Sequence, residues 1–224
     1  VDRSSEDSLM RVDVGVRVEA LRRLTISVQV SQRSPFDGRP GVATTFARVE
    51  GLVRIGRMVL RGGVIRRDSV DNSAPIMFAR DMTSAPLSAA TGETFGVALP
   101  IYRALGIDVE GTLWNAATVY RPQNDVFARL GFETDWRRRF PHGDFTIRAA
   151  VMLQHRGGML IPLSTGLQIL PAATPFSSML EIRIKSATIT WQFRNFLGTP
   201  YETVPGYVMP RRINLYGVRW NFSN

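Results

Sequence analysis

The chain has 224 residues, 44% of them hydrophobic, with 19 Gly and 13 Pro, which suits a chain folded throughout into one large β domain. It has no cysteine, which excludes disulfide frameworks, thiolate metal sites and cysteine nucleophiles. The formal charge is +9 and Lys185 is the sole lysine, but the arginines recur at alternate positions beside Asp and Glu instead of clustering with aromatics, so no nucleic-acid partner is expected.

Mean hydropathy is -0.04, and no apolar run approaches the ~18 to 20 residues that a membrane-spanning helix needs. A helical membrane protein is thereby excluded. A β-barrel is not, because its strands are only half apolar and still pair every backbone group within the protein.

In chain order, residues 1–10 read as the tail of a loop. Residues 11–21 then place Val12, Val14, Val16, Val18 and Ala20 on one face and Arg11, Asp13, Arg17 and Glu19 on the other. Residues 24–32 alternate Leu24, Ile26, Val28 and Val30 with Thr25, Ser27, Gln29 and Ser31, so a tight hairpin is expected at Arg22-Arg23. Residues 43–56 and 58–68 read as two weakly alternating strands joined at Gly56-Arg57. Residues 91–103 set Phe95, Val97, Leu99 and Ile101 on one face, and a turn at Ala104-Leu105-Gly106 leads to Ile107, Val109 and Leu113.

Residues 124–139 face Ala128, Leu130, Phe132, Thr134 and Trp136 one way and Arg129, Glu133, Asp135 and Arg137 the other. After a turn at 140–143, Phe145, Ile147, Ala149, Val151 and Leu153 alternate with Thr146, Arg148, Met152, Gln154 and Arg156. Residues 175–184 and 187–197 follow, with the apolar phase flipping across Lys185-Ser186 as a two-residue hairpin requires. Residues 212–222 form a last strand with Tyr216, Val218, Trp220 and Phe222 on one face.

Strands this long exceed the globular mode of ~5 to 6 residues and match the ~9 to 11 that cross a bilayer when tilted. Short connections at 22–23, 56–57, 104–105, 140–143 and 185–186 alternate with long ones at 33–42, 69–90, 158–174 and 198–210. A short connection near Arg121-Pro122 is the exception. Bacterial outer-membrane barrels combine tight periplasmic turns with longer extracellular loops, so about eleven up-and-down strands ending on the periplasmic side are expected, the first starting outside. Complete bacterial barrels have even strand numbers, so earlier strands are expected upstream. Tyr102, Trp136, Phe140 and Phe222 fall near the expected periplasmic rim, where an aromatic belt sits.

From Ile189 the chain runs Ile-Thr-Trp-Gln-Phe-Arg-Asn195-Phe-Leu-Gly-Thr-Pro-Tyr201-Glu-Thr-Val-Pro205-Gly-Tyr-Val-Met-Pro210-Arg, then Tyr216-Gly-Val-Arg-Trp-Asn-Phe222. This resembles the end of TonB-dependent outer-membrane receptors. Asn195, Tyr201, Pro205, Gly206, Pro210 and Arg211 match the family's last loop, and Gly217, Val218, Trp220 and Phe222 its terminal strand. The resemblance covers about the last fifth of the chain. It implies an antiparallel transmembrane β-barrel of about 22 strands with a plug inside, of which this chain is the C-terminal half. It implies an outer-membrane location, contact with outer-membrane lipid, and reading of the terminal strand Tyr216 to Phe222 by the barrel-assembly machinery. It further implies uptake of an unidentified small molecule, energised by a TonB-type protein through a plug. No plug segment is present in these residues, and Ser223-Asn224 extend past the aromatic where many barrels stop.

The expected lumen residues include Arg17, Arg129, Glu133, Arg137, Arg148 and Arg183. They either line a ligand path selective for anions or, as the favoured reading, form a cross-strand salt-bridge lattice. Only His142 and His155 offer imidazoles; they fall at opposite ends of one strand and cannot pair. No catalytic residue, metal site, cofactor or enzyme activity is expected. Gly157-Gly158 and the apolar Met159-Leu-Ile-Pro-Leu163 either contact a ligand or fold against their neighbours. The alternative to a receptor is a complete smaller outer-membrane barrel acting as a passive pore or structural protein. A soluble β protein binding acidic partners is a distant third.

Overall fold

The computed structural model describes residues 11–21, 23–33, 44–70 and 85–221. The expected loop at 1–10, most of those at 33–42 and 69–90, Arg22 of the first hairpin, and Phe222 with Ser223-Asn224 lie outside the described residues. The strands are β1 (Arg11–Leu21), β2 (Leu24–Arg33), β3 (Thr44–Ile55), β4 (Met58–Arg67), β5 (Ala90–Tyr102), β6 (Leu105–Trp114), β7 (Asn124–Thr134) and β8 (Phe145–Arg156). They continue with β9 (Met159–Leu163), β10 (Gly166–Leu170), β11 (Phe176–Ile184), β12 (Ala187–Arg194), β13 (Glu202–Val204), β14 (Tyr207–Val208) and β15 (Ile213–Trp220). No helix occurs among them, and no helix is long and apolar enough to cross a membrane.

The fold is all-β. Eleven strands form one antiparallel up-and-down sheet in the order β1-β2-β3-β4-β5-β6-β7-β8-β11-β12-β15, as the alternation predicts. The sheet is open, with β1 and β15 at its edges and unpaired with each other among the described residues. Strands of this sheet run from 8 to 13 residues.

Residues directly opposite in an antiparallel pair share a face, so the register carries each face across the sheet. Val28, Val49 and Val64 stand in one row, and Leu130, Val151, Ser178 and Phe193 in another, all on the apolar face. Large apolar side chains from every strand of the sheet lie open on this face: Val16 is 58% exposed, Val218 67% and Tyr216 85%. The opposite face carries most of the charges, and its small residues are covered, with Thr94 at 9%, Thr146 at 8% and Thr188 at 2% exposure. The phase flip at Lys185-Ser186 is present: Ile184 pairs with Ala187, and Lys185 turns the chain in the left-handed region at φ 53°.

Four local expectations are corrected. β7 stops at Thr134, not 139. The Trp136 amide bonds the Thr134 hydroxyl oxygen at 3.2 Å, Trp136 enters the left-handed region at φ 44°, and its carbonyl accepts from Arg139 and Phe140 at 2.9 and 3.0 Å. Phe140 then stacks on Phe145 at 4.8 Å with Trp136 at 6.0 Å from Phe145, so an aromatic cluster folds the chain back while the alternating pattern runs on. The turn at this end therefore spans 135–144, not 140–143. The connection at Arg121-Pro122 is likewise longer than expected and occupies 115–123, where Thr118 and Arg121 exchange backbone bonds at 3.1 and 3.2 Å.

The other two corrections concern the long connections at 158–174 and 198–210, each of which contains a hairpin. Met159–Leu163 pairs with Gly166–Leu170 and folds against its neighbours: the Tyr120 amide donates to Leu160 O at 2.9 Å, and Ile161 and Leu170 are 2% and 1% exposed. Glu202–Val204 pairs with Tyr207–Val208 across Pro205-Gly206, where Gly206 adopts φ 80° and its amide bonds the Glu202 carboxylate at 3.0 Å.

Candidate functional site

The polar face is an ordered set of charge rows. Glu133 of β7, Arg148 of β8 and Glu181 of β11 stand opposite one another, so Arg148 lies between two carboxylates, at 2.9 Å from Glu133 and 3.4 Å from Glu181. The next row holds Arg183 opposite Thr146, whose hydroxyl accepts its Nη2 at 3.0 Å; the same nitrogen donates to Gly143 O at 3.3 Å. Arg129 faces Asp108 at 3.7 Å. Arg61 reaches across β5 to Glu110 at 3.7 Å, which Gly96 permits, since a Cβ there would sit 3.1 Å from Arg61 Nε.

The expected lumen residues therefore divide. Glu133, Arg148 and Arg183 come together at the short-turn end, lining with Arg103, Asp135 and Thr146 an open groove of about 510 Å³. Arg129 lies on the same face beside Asp108. Arg17 sits on β1 opposite Ser27, in the row that continues to Glu50 and far along the sheet from that groove. Arg137 is a correction: it lies in the exposed 135–144 turn, bonded to Asp135, because β7 ends before it.

The long-loop end of the same face holds a residue that strand periodicity passes over. Trp114 ends β6 opposite Gly92, whose missing side chain makes room for the indole: a Cβ there would lie 2.9 Å from the ring. The turn at 118–121 returns Arg121 over Trp114, its guanidinium carbon 4.7 Å from the ring centroid. Arg121 is 4% exposed, donates from Nη1 to Ser88 O at 3.0 Å, and has no partner for Nη2 among the described residues. Burial, and then the positive charge of Arg67, pull its pKa below the usual guanidinium range. Burial also pushes the Tyr120 phenol up. The only signal in the sequence is an arginine beside a proline.

The residues that carry the family resemblance build the last connection of the sheet. Asn195, 3% exposed at φ 49°, donates from Nδ2 to Thr199 O at 2.8 Å and to Pro210 O at 3.4 Å, tying both ends of the connection together. Tyr201 O accepts from Met209 N at 2.8 Å, Pro205-Gly206 makes the turn, and Arg156 of β8 clamps Glu202 O at 2.6 Å. Arg211 is exposed beside them. Tyr216, Gly217, Val218 and Trp220 lie on the edge strand β15, with Tyr216 opposite Trp191 and Gly217 opposite Thr190. Comparison with known protein families, curated proteins and solved structures finds no match.

His142 lies in the short turn and His155 toward the far end of β8, where its Nδ1 meets the Thr174 hydroxyl at 2.7 Å. Among the described residues no cluster of His, Asp or Glu is arranged to hold a metal ion. What the polar face offers chemically, among the described residues, is a wall of paired guanidinium and carboxylate groups, with one buried cation outside the pairing.

Proposed function

We propose that the chain is the wall-forming region of an outer-membrane receptor of the TonB-dependent type, crossing the membrane with its strands and admitting a small-molecule ligand along its polar face. One observation carries this reading: large apolar side chains on all eleven strands of the sheet are open, while the opposite face pairs its charges with one another and buries several of its small residues. In water such a face would bind itself or another surface; against lipid it is satisfied. Tight turns at one end, the 135–144 turn excepted, and longer connections at the other, two of them carrying hairpins, support the same orientation, short turns toward the periplasm. The family-like last connection and the edge strand β15 support delivery by the barrel-assembly machinery. In this reading the sheet edges continue into a closed barrel, the polar face meets a plug, and a TonB-type protein energises uptake.

The test is tryptophan quenching by brominated lipids. The chain is folded into phosphatidylcholine vesicles brominated near mid-chain, and Trp191→Phe identifies the signal of Trp191, which lies on the apolar face. Strong quenching of Trp191, with membrane fractionation of the chain secreted in a Gram-negative host, is the expected result. A chain that stays monomeric in water without detergent overturns the reading.

A further inference from the structure

Among the described residues Arg121 is a buried cation without a counter-ion. Neither it nor Arg67 has a carboxylate at ion-pair distance among the described residues; the neighbouring Asp68 lies 4.0 Å from Arg66 and its Oδ2 accepts from Thr45 N at 3.3 Å. A buried charge left unpaired is among the costlier features a fold can hold, and a bound water would satisfy the free N–H without neutralising the charge. An oxyanion does both. The rest of the arrangement suits one. Trp114, seated on Gly92, holds the guanidinium plane from one side, and Ser88 O fixes Nη1 so that Nη2 remains for a ligand. Thr118, on the same tight turn, has a buried hydroxyl that is also without a partner among the described residues. Arg67 stands exposed on the same face, opposite Ala90 and two residues along from Ser88, where it offers a second charge at the entrance.

We propose that Arg121, with Arg67 at its entrance and Trp114 as its platform, binds the oxyanion group of a small acidic ligand, a carboxylate or a phosphate, at the long-loop end of the polar face. The named residues lie on β4, β5 and β6, at Ser88 and in the 115–123 connection, so the site does not depend on closure of the sheet into a barrel.

The experiment titrates inorganic phosphate and, separately, succinate into the full chain folded in detergent micelles, with chloride at matched ionic strength as the control. Calorimetry reads affinity, and the thermal unfolding midpoint reads the stabilisation that a ligand of the folded state imposes. Saturable binding of at least one anion is expected, and which one binds tells phosphate from carboxylate ligands. Arg121→Met should weaken it by about tenfold or more, the loss expected of a charge-assisted hydrogen bond. Arg67→Gln should weaken it by a smaller factor and, being exposed, should leave folding intact even if Arg121→Met does not. Arg138→Gln, in the exposed turn at the opposite end, should leave it unchanged. Absence of saturable binding overturns the proposal, as does binding that Arg121→Met and Arg67→Gln leave untouched, or that Arg138→Gln weakens equally, since either marks a diffuse attraction to basic surface.

Discussion

The two faces of the sheet are built from the same strands with the same period, yet they invert the usual relation of side chain to solvent. Val16, Val218 and Tyr216 are more than half exposed, whereas Thr94, Thr146 and Thr188 are nearly covered. In a soluble sandwich the apolar set would be the buried one. The apolar face makes few demands beyond hydrophobicity, because lipid has no directional needs. The polar face must satisfy each charge by register, so its residues are specified pairwise.

The sharpest way to break this comparison is to put the same charge on each face. Leu180, in the middle of β11, lies on the apolar face, and Met179 beside it points the other way. In lipid vesicles Leu180→Arg is expected to destabilise by ~2–4 kcal/mol, the cost of arginine facing the bilayer midplane. Met179→Arg should cost well under half of that, since it joins a charged wall. Urea-unfolding midpoints in vesicles provide the check, and equal costs would show that the two faces see the same medium.

A second contrast needs no charge. Gly62 and Gly63 are neighbours on β4 whose Cβ positions point to opposite faces. An added Cβ at Gly62 would find its nearest atom, Thr94 O, at 3.9 Å, an ordinary contact, whereas at Gly63 it would lie 2.2 Å from Val49 O. Gly63→Ala is expected to cost ~1–3 kcal/mol by forcing the β3–β4 backbones apart. Gly62→Ala should be neutral or slightly stabilising through the unfolded chain. If thermal midpoints in detergent fall equally for both, the close packing of the polar face at this point is refuted.

The faces were legible in the sequence because a two-residue period is a property of the strand itself. It put Arg17, Arg129, Glu133, Arg148 and Arg183 on one side, where they are found. It failed at Trp136 and Arg137, which keep the period by coincidence while the rings of Trp136, Phe140 and Phe145 turn the chain. It also had nothing to say of Arg121, whose environment comes from Trp114 on another element, Gly92 beneath it and Ser88 beside it. A buried cation in a connection is a tertiary fact, and no local pattern carries it. The hairpins at 159–170 and 202–208 were hidden for a related reason: each is short and is held by residues outside itself, Tyr120 in one case and Arg156 in the other.

The smallest effect tests whether the polar face is a lattice of couplings or a set of independent charges. Arg148 bridges Glu133 and Glu181, but its side chain is half exposed, so solvent screens both pairs. Cross-strand ion pairs of this kind contribute ~0.2–1 kcal/mol each, and Arg148→Met leaves two carboxylates facing one another across a strand without a cation. A double-mutant cycle with Glu181→Gln is therefore expected to give a coupling of ~0.5 kcal/mol at low salt that fades as the ionic strength approaches 1 M. A coupling that persists in high salt would mean that the pair is shielded from water, as it would be with a plug seated on the polar face. A coupling of zero at low salt would make the row a coincidence of register, with the charges serving solvation of the face alone.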